Sequence, residues 1–449
     1  MEKVSGFDFQ PIQIDRSGAL KGGADELAQH VKANHVTDVI IMCHGFRNDD
    51  NDARALYTNF LKTFADNCKS PGVAARLAGR SFAVGGVFWP SMVFPEPDDS
   101  QGRAQSADGT AQDRQRLESM KASLDGSARA KVDDMLAQFD AAAENDVDAQ
   151  LTMVESLLEL TRDLPATDAN EFSAALANAS PQSLHNALVA GDTVEVAEPG
   201  SGGGGGGIPS LDDETHVTDD GARSFLGNVF GFVPKFVNLT TFLLMFHRCG
   251  VVGEKGISRA VRQINDLSTP RVHLVGHSLG GRAVTACAKA LLDAPKQQVA
   301  SMMLLEAAYS HFGFSNGAVP GGVTHPRGFF RDVIEQKAVL GPILATHSEH
   351  DSVVGFAYTA MAAASLNNAR KFGDEKSPFG GIGRNGVLDT PEVMKADLNI
   401  SGGAYQFAND KIHNLNGSRS VDGKPLIGSH GDVTNAAVTW AFASLVASV

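Results

Sequence analysis

The sequence predicts an α/β protein with a mainly parallel central sheet flanked by helices. Short apolar runs rich in Val, Ile and Leu, such as 36–42 and 299–305, alternate along the chain with longer stretches of helical periodicity. Continuously apolar runs of this length are typical of strands that are buried on both faces. A third run, residues 272–275, leads through Gly276 and Gly280 directly into an Ala-rich helical stretch. The strand–turn–helix order supports the same class of fold.

The remaining elements follow the same alternation of strands and helices. Period-2 patterns predict exposed-face strands, and periodicities near 3.6 predict the helices. Asp52 is the expected N-cap of the second helix, because its carboxylate can accept a hydrogen bond from the first turn. We expect strands at 7–14, 36–42, 81–91, 272–275, 299–305 and 341–347, a last strand within 402–412, and helices at 24–33, 53–67, 256–266, 282–292 and 434–447.

The turn after the strand at 272–275 contains Ser278 in a G-x-S-x-G pentapeptide. In a nucleophile elbow such a turn lifts its serine out of the sheet, and its neighbours are glycines because a β-carbon would not fit there. The same pentapeptide surrounds Ser315, but the Gly- and Pro-rich stretch that follows cannot form a helix. We therefore predict that Ser278 is a nucleophile. A purely structural glycine turn is the alternative.

A serine nucleophile requires a base within hydrogen-bond distance, and the base requires an anion that fixes its tautomer. With an elbow serine, the order along the chain is serine, acid, histidine. Ser278, Asp351 and His430 satisfy this order, because Asp351 follows a predicted strand and His430 precedes the final helix. Glu306, directly after a strand, is the alternative acid. His413, in or near a strand, is the alternative base.

A His-Gly pair, His44 and Gly45, follows the first buried strand, where an oxyanion loop is expected to begin. One backbone N–H in that loop and one directly after the nucleophile stabilise the negative charge that develops on the substrate oxygen. We assign these donors to Phe46 and Leu279. His44, Gly45 and His277 are the candidate substrate-binding residues. The alternatives are a hydrogen-bonded turn histidine for His44 and a packing or supporting role for His277.

Residues 96–224 differ in composition from the rest of the chain. They contain few β-branched apolar residues and much Ala, Asp, Glu and Gln, and residues 201–207 are a serine followed by six glycines, typical of a flexible linker. We predict a partly helical insertion between two segments of one core, 1–95 and 225–449. The insertion is expected to act as a cap over the site or, alternatively, as a module that binds a protein partner.

Residues 225–252 form the most apolar segment of the chain. We expect Pro234 and Lys235 to break this segment, so that it is not a membrane span. Packing on the core is one expectation for it. The other is that it lines an acyl pocket or a lipid-facing rim.

Composition excludes several classes of partner. Because 52 acidic residues outnumber 38 Lys and Arg, the net charge is −14, and no basic stripe favours nucleic acid. The four cysteines lack C-x-x-C spacing and are expected to be buried free thiols. No metal-ligand spacing occurs, so we expect neither a metal nor another cofactor. Without an apolar leader at the N-terminus, the expected location is the cytoplasm, with signal-less export left open.

Three motifs together resemble the α/β-hydrolase superfamily. They are R-C-G-V-V-G-E-K-G at 248–256, G-H-S-L-G-G-R-A-V-T-A at 276–286 and G-P-I-L-A-T-H-S-E-H-D-S-V-V-G at 341–355. G-H-S-L-G-G is typical of the lipase, esterase and thioesterase branches. The resemblance covers both core segments and leaves the insertion outside. It implies the α/β-hydrolase fold and a serine hydrolase that transfers an acyl group to water.

The resemblance leads us to expect hydrolysis of carboxylic esters of short to medium acyl chains, with Ser278, His430 and Asp351 as the triad. Because the base must be neutral, activity should rise with pH through the ordinary histidine range near ~6.5. The first alternative is a lipase or phospholipase acting on long-chain lipids with interfacial contact. The alternative of another class is a non-catalytic scaffold that binds a protein partner through the insertion.

Overall fold

The structure is a computed structural model that describes residues 1–46, 48–91, 107–122, 124, 126–163, 179–190, 231–294, 297, 299–317, 327–354 and 380–449. Its strands are β1 (Glu2–Val4), β2 (Phe7–Ile14), β3 (Leu20–Gly22), β4 (Asp38–Cys43), β5 (Phe82–Phe88), β6 (Arg271–His277), β7 (Ser301–Leu305), β8 (Ile343–His347), β9 (Val393–Asp397), β10 (Ile412–Asn416), β11 (Ser420–Val421) and β12 (Lys424–Pro425). Its α-helices are α1 (Ala24–Ala33), α2 (Asp50–Cys68), α3 (Pro71–Leu77), α4 (Ala107–Ala122), α5 (Gly126–Ala143), α6 (Val147–Asp163), α7 (Pro181–Ala190), α8 (Phe232–Val251), α9 (Ser258–Leu267), α10 (Leu279–Ala290), α11 (Arg331–Glu335), α12 (Ile382–Asn385) and α13 (Ala436–Val446).

One large sheet forms the centre of the molecule. Its strand order is β1-β2-β5-β4-β6-β7-β8-β10-β9, with β3 paired to β2. Every pairing from β2 to β9 is parallel, and only β1 and β3 run antiparallel to β2. The prediction of an α/β fold with a mainly parallel sheet flanked by helices is therefore confirmed. Since β4 and β6 are neighbours, the segments that follow them begin side by side.

The central strand β4 shows why the sequence gives apolar runs without polar gaps. Val39, Ile41 and Cys43 belong to a core that α1, α8, α9 and α10 cover, whereas Ile40 and Met42 belong to a second core, under α2 and α13. Both faces of the strand are thus buried under helices. A strand in that position has no side that gains from a polar residue.

The described part of the most apolar segment, which starts at Gly231, is one uninterrupted helix from Phe232 onward, so the predicted break at Pro234 and Lys235 is wrong. The helix α8 begins at Phe232, and Pro234 lies in its first turn, where a missing N–H costs no helical hydrogen bond. A π-helical turn, Val252–Ile257, joins α8 to α9, so that 36 residues from Phe232 to Leu267 are continuously helical. Within the described ranges this is the one helix long and apolar enough to cross a membrane, and 89% of its most apolar window is buried inside the protein.

Two further sequence-based boundaries are corrected. Helix α2 begins earlier than expected, because Asp49 is the N-cap and accepts from the N–H groups of Asn51 and Asp52. The Asp52 side chain accepts from the Asp49 N–H instead, which completes a capping box. The last strand of the large sheet is β10 and starts only at Ile412, and an unpredicted strand, β9, forms the edge beyond it.

The predicted insertion contributes four described helices, α4 to α7, which pack on one another and on α8. Apolar side chains at their contacts, including Leu117, Met135, Leu157 and Leu184, are fully buried. The sequence predicts helical stretches within 117–161, and the described residues there belong mainly to α4, α5 and α6, so this prediction is confirmed. The glycine-rich residues 201–207 and both ends of the predicted insertion lie outside the described residues.

All four cysteines are free thiols, as expected. Cys43, Cys249 and Cys287 are buried, and only Cys68 is half-buried. Burial raises the pKa of the Cys43 and Cys287 thiols well above the ordinary value. These thiols are therefore protonated packing groups at neutral pH.

Candidate functional site

Ser278 lies in the sharp turn between β6 and α10. Its φ of 57° and ψ of −126° are rarely adopted by residues with a β-carbon. A β-carbon at Gly276 would lie 2.3 Å from the Gly280 carbonyl oxygen, and one at Gly280 would lie 2.1 Å from the Cys43 carbonyl oxygen. The Ser278 N–H donates to the Leu305 carbonyl at 3.0 Å, which ties the turn to the end of β7. The backbone thus has the geometry of a nucleophile elbow.

The predicted oxyanion loop runs directly beside the serine. A β-carbon at Gly45 would lie 2.6 Å from Ser278 Cβ and 3.1 Å from Ser278 Oγ, so only a glycine allows this approach. Phe46 follows Gly45 in the loop. On the other side, Leu279 is the first residue of α10, so its N–H has no acceptor within the helix and lies at the positive end of the helix dipole. Both predicted donors therefore belong to backbone that flanks Ser278.

The structure brings together the predicted acid and the predicted base. Asp351 follows β8 and is fully buried, and its Oδ2 accepts a hydrogen bond from His430 Nδ1 at 2.8 Å. Its Oδ1 accepts from the Val354 N–H at 2.9 Å. Because a carboxylate only accepts, the imidazole proton is on Nδ1 of His430, and Nε2 retains a lone pair. A histidine in this tautomer can act as a base.

The environment of Asp351 keeps its carboxyl group ionised. Burial by itself raises the pKa of Asp351, but the charge of His430 and the hydrogen bonds from His430 and the Val354 N–H outweigh burial, so the pKa is lowered. Asp351 is therefore an anion although its side chain is fully buried.

His277 connects the elbow to the candidate base. Its Nε2–H donates to the backbone carbonyl of His430 at 2.9 Å, and the two rings lie 4.8 Å apart between centroids. Burial, and then the charge of His430, lowers the pKa of His277 to about 3, so this ring is neutral. The predicted contact of His277 with substrate stays a prediction. Among the described residues Ser278 Oγ has no hydrogen-bond partner, and contacts between a nucleophile and its base often tighten only when substrate binds.

His44 is enclosed beneath the loop. Its Nδ1–H donates to the Gly45 carbonyl at 3.0 Å, its Nε2 accepts from the Trp89 N–H at 3.4 Å, and its ring stacks on Trp89 at 5.6 Å. Burial lowers the pKa of His44 to about 4 although the Gly45 carbonyl opposes this shift. These contacts fit the hydrogen-bonded turn histidine, and the substrate-binding role of His44 and Gly45 stays a prediction.

Two of the competing candidates, His413 and Ser315, lie elsewhere. His413 is in β10, where its Nε2 accepts from the Ala408 N–H at 3.0 Å. Ser315 is fully buried, and its Oγ accepts from the Gly317 N–H at 3.0 Å. In the described part of the chain, neither residue hydrogen-bonds to Asp351.

Sequence reasoning missed two features. Glu306, considered only as a competing acid, is fully buried beside Asp351. Its position after a strand was the available signal. A second buried group consists of Asp38, His273 and Ser301 and lies at the amino ends of β4, β6 and β7. A lone polar residue within each apolar strand was its signal.

The arrangement offers a serine in a strained strand-to-helix turn, a histidine with a free nitrogen lone pair, a buried carboxylate behind it, and main-chain donors on both sides of the serine. Such a set of groups is suited to nucleophilic attack on a carbonyl carbon. Among the described residues, no three His, Cys, Asp or Glu side chains lie close enough to hold a metal ion. No protein-family model, curated protein or solved structure matches this chain.

Proposed function

We propose that this protein is a serine hydrolase that cleaves carboxylic esters of short to medium acyl chains through an acyl-enzyme. The observation that carries the proposal is the 2.8 Å bond between Asp351 and His430, with His430 in contact with His277, the neighbour of a serine held at a φ of 57° in a strand-to-helix turn. The chain order of the three residues, serine, acid, histidine, adds support.

In the proposed reaction, Ser278 Oγ attacks the ester carbonyl carbon while His430 Nε2 takes the hydroxyl proton. Asp351 holds the imidazole in its tautomer and stabilises the imidazolium. The N–H groups of Phe46 and Leu279 stabilise the oxyanion. The C–O bond to the alcohol then breaks, and the alcohol leaves with the proton from His430. Water repeats the cycle on the acyl-serine, which releases the acid and restores the enzyme.

We further propose that the core has the α/β-hydrolase arrangement. The candidate groups follow β4, β6, β8 and β10 on the side of their carboxyl ends, which supports this assignment because ligands of parallel sheets bind there. We also propose that α4 to α7 form a cap. Their packing on α8, the helix that continues toward β6, supports this role.

The apolar helix α8 supplies the argument about substrate. The Phe46 ring meets Phe242 of α8 edge-on, with ring centroids 6.2 Å apart, and Phe242 lies 6.0 Å from Phe246. An apolar wall next to a proposed oxyanion donor suits the acyl part of an ester. The same wall favours the second candidate function, a lipase or phospholipase, which would need it to accept long chains.

The test compares wild type with Ser278→Ala on p-nitrophenyl esters from acetate to palmitate. We expect turnover by wild type, best with short or medium chains, and none by the variant. An optimum at long chains, with activation by lipid interfaces, would replace the esterase by the lipase. Absence of turnover together with no fluorophosphonate labelling of Ser278 would favour the non-catalytic scaffold and contradict the proposal.

A further inference from the structure

Glu306 is the residue directly after β7, and its position is unusual for a glutamate. It is fully buried, and its φ of 43° is in the left-handed region that residues with a β-carbon disfavour. The Glu306 N–H donates to Thr346 Oγ1 at 3.2 Å, which fixes the turn to β8. Strained conformations of this kind persist where surrounding structure requires a side chain to point in one direction.

The carboxyl groups of Glu306 and Asp351 lie next to each other, with Gly383 packed against both residues. A β-carbon at Gly383 would lie 2.7 Å from Asp351 Oδ2 and 2.7 Å from the Glu306 carbonyl carbon. Among the described residues neither carboxyl oxygen of Glu306 has an N–H or hydroxyl donor as a partner. The side-chain hydrogen bond between Glu306 and Asp351 therefore requires a proton on one of the two carboxyl groups.

Two adjacent buried carboxylates cannot both be ionised at moderate cost. Burial, and then the charge of Asp351, raises the pKa of Glu306 well above its ordinary value, and Asp432 acts in the same direction. Asp351 is the member that His430 stabilises as an anion, at 2.8 Å. His277 also faces this group from the elbow and is neutral.

We propose that Glu306 is a positioning residue of the proposed triad: it keeps a proton that it presents to Asp351, so that the two carboxyl groups carry one negative charge toward His430. This inference rests on the proposed function. A neutral donor behind Asp351 spreads the charge of that carboxylate. Without the donor, the charge concentrates on the side of His430, and His430 holds its proton to higher pH.

The test is the acid limb of the kcat/KM profile of wild type and two variants. Glu306→Leu removes the donor, and we expect the limb to move up by about 0.5 pH unit, with a roughly tenfold loss of kcat/KM. Glu306→Gln retains an N–H donor, so its limb should stay at the wild-type position and its loss should be smaller. Glu349→Gln is the matched control, because this exposed glutamate lies two residues before Asp351.

Two outcomes would overturn the inference. If Glu306 is ionised in wild type, both variants remove a negative charge and both limbs move to lower pH. If Glu306 only fills space, the acid limb of the kcat/KM profile of Glu306→Leu stays at the wild-type pH. Thermal unfolding of each variant shows whether the fold is intact, and the position of the limb, unlike the rate, is not changed by a fraction of unfolded protein.

A readout without turnover separates this inference from the proposed function. NMR can follow the titration of the His430 imidazole, whose signal is identified by its loss in His430→Gln. The titration of Glu306→Gln is expected at the same pH as that of wild type, and the titration of Glu306→Leu at higher pH. If wild type hydrolyses no ester but the titration moves upward only in Glu306→Leu, the hydrolase proposal fails and the charge assignment of the acid pair stands. If wild type hydrolyses esters but the titration does not move in Glu306→Leu, the hydrolase proposal stands and the charge assignment of the acid pair fails.

Discussion

Two groups of serine, histidine and aspartate side chains lie at opposite ends of the same sheet. Each group contains one serine and one histidine whose ring nitrogen is hydrogen-bonded to an aspartate. In the second group His273 Nε2 lies 3.0 Å from an Asp38 oxygen, and His273 Nδ1 lies 2.8 Å from Ser301 Oγ. The group at the carboxyl ends is Ser278, His430 and Asp351, and the group at the amino ends is Ser301, His273 and Asp38.

The group at the amino ends is the more completely hydrogen-bonded of the two, but its surroundings are less suited to nucleophilic attack. All three of its side chains are fully buried, whereas His430 keeps 11% of its side chain exposed. Ser301 belongs to a regular strand, whose N–H groups pair with neighbouring strands, so no free donors surround its hydroxyl. Asp38 also pairs with Arg80, which competes with His273 for the carboxylate.

Because both groups have these hydrogen bonds, the bonds alone do not distinguish the proposed site from the group at the amino ends. The backbone distinguishes the proposed site. Ser278 has a positive φ, Gly45 packs against its Oγ, and the first N–H groups of α10 lie directly after it. The amino-end group instead satisfies polar atoms within the core. Matched substitutions in the two groups test this distinction.

Replacing the two serines should give the largest contrast. Ser278→Ala is expected to lower kcat by on the order of 10⁴- to 10⁶-fold with the fold intact, because the nucleophile is gone. Ser301→Ala should keep the wild-type rate and lower the unfolding free energy by about 1–2 kcal/mol, because His273 loses a buried partner. Ester assays and urea unfolding measure both effects. A large rate loss in Ser301→Ala would contradict the distinction between the two groups.

Replacing the two aspartates should give the next contrast. Asp351→Asn is expected to lower kcat by roughly 10⁴-fold, because the amide does not hold His430 in its productive tautomer. Asp38→Asn should leave the rate of the folded protein unchanged and cost about 3–5 kcal/mol of stability, because Arg80 loses its buried counter-charge. Equal stability losses in both variants, with no rate difference, would show that the groups are equivalent.

Gly45→Ala tests the backbone around the proposed site without changing any polar group. Its β-carbon would meet Ser278 at 2.6 Å, so we expect a roughly 10²-fold loss of kcat/KM from displacement of the serine or the loop. Gly72→Ala is the matched control, since a β-carbon there meets nothing within 4 Å. An unchanged rate in Gly45→Ala would mean that this loop is not part of the site.

Acid should act on the rest of the core through stability rather than through rate. Burial lowers the pKa of His44 and His347 from 6.5 to about 4, and it lowers the pKa of His273 as well. Between these pH values the unfolded chain binds protons that the native histidines do not, so stability falls as pH is lowered from 6.5 toward 4, by on the order of 2 kcal/mol each for His44 and His347. Urea unfolding at pH 7 and pH 5 measures the slope.

His347→Gln should flatten this slope, and His350→Gln, at a side chain that is 41% exposed, is the control. The same slope in His347→Gln and wild type would disprove the assignment of acid sensitivity to buried histidines.

The sequence was sufficient for the features that depend on local patterns. The apolar runs predicted the parallel sheet, and the glycines around Ser278, with the chain order of Asp351 and His430, selected the residues that the structure brings into one region. Their roles in catalysis remain predictions. These features were accessible because each depends on a few neighbouring residues and on the convergence of parallel strand ends.

Other features depend on contacts that no local pattern contains. Whether Pro234 breaks a helix depends on where the helix starts. Here Gly231 is the N-cap, so Pro234 lies in the first turn and is tolerated. Strand β9 has a mostly exposed edge and lacks an apolar run. Asp38 and His273 are 235 positions apart along the chain, and only the pairing of β4 with β6 brings them together.

The continuous helix from Phe232 to Leu267 limits how the proposed cap can move. A domain joined to its neighbour by a loop can rotate about that loop as a hinge. Here one connection is a helix of 36 residues, roughly 54 Å long, whose π-helical turn packs so closely that a β-carbon on Gly253 would lie 2.0 Å from the Ala283 carbonyl oxygen. We therefore expect any displacement of α4 to α7 that involves α8 to be a sliding shear, transmitted along the helix to β6, the strand that leads to Ser278.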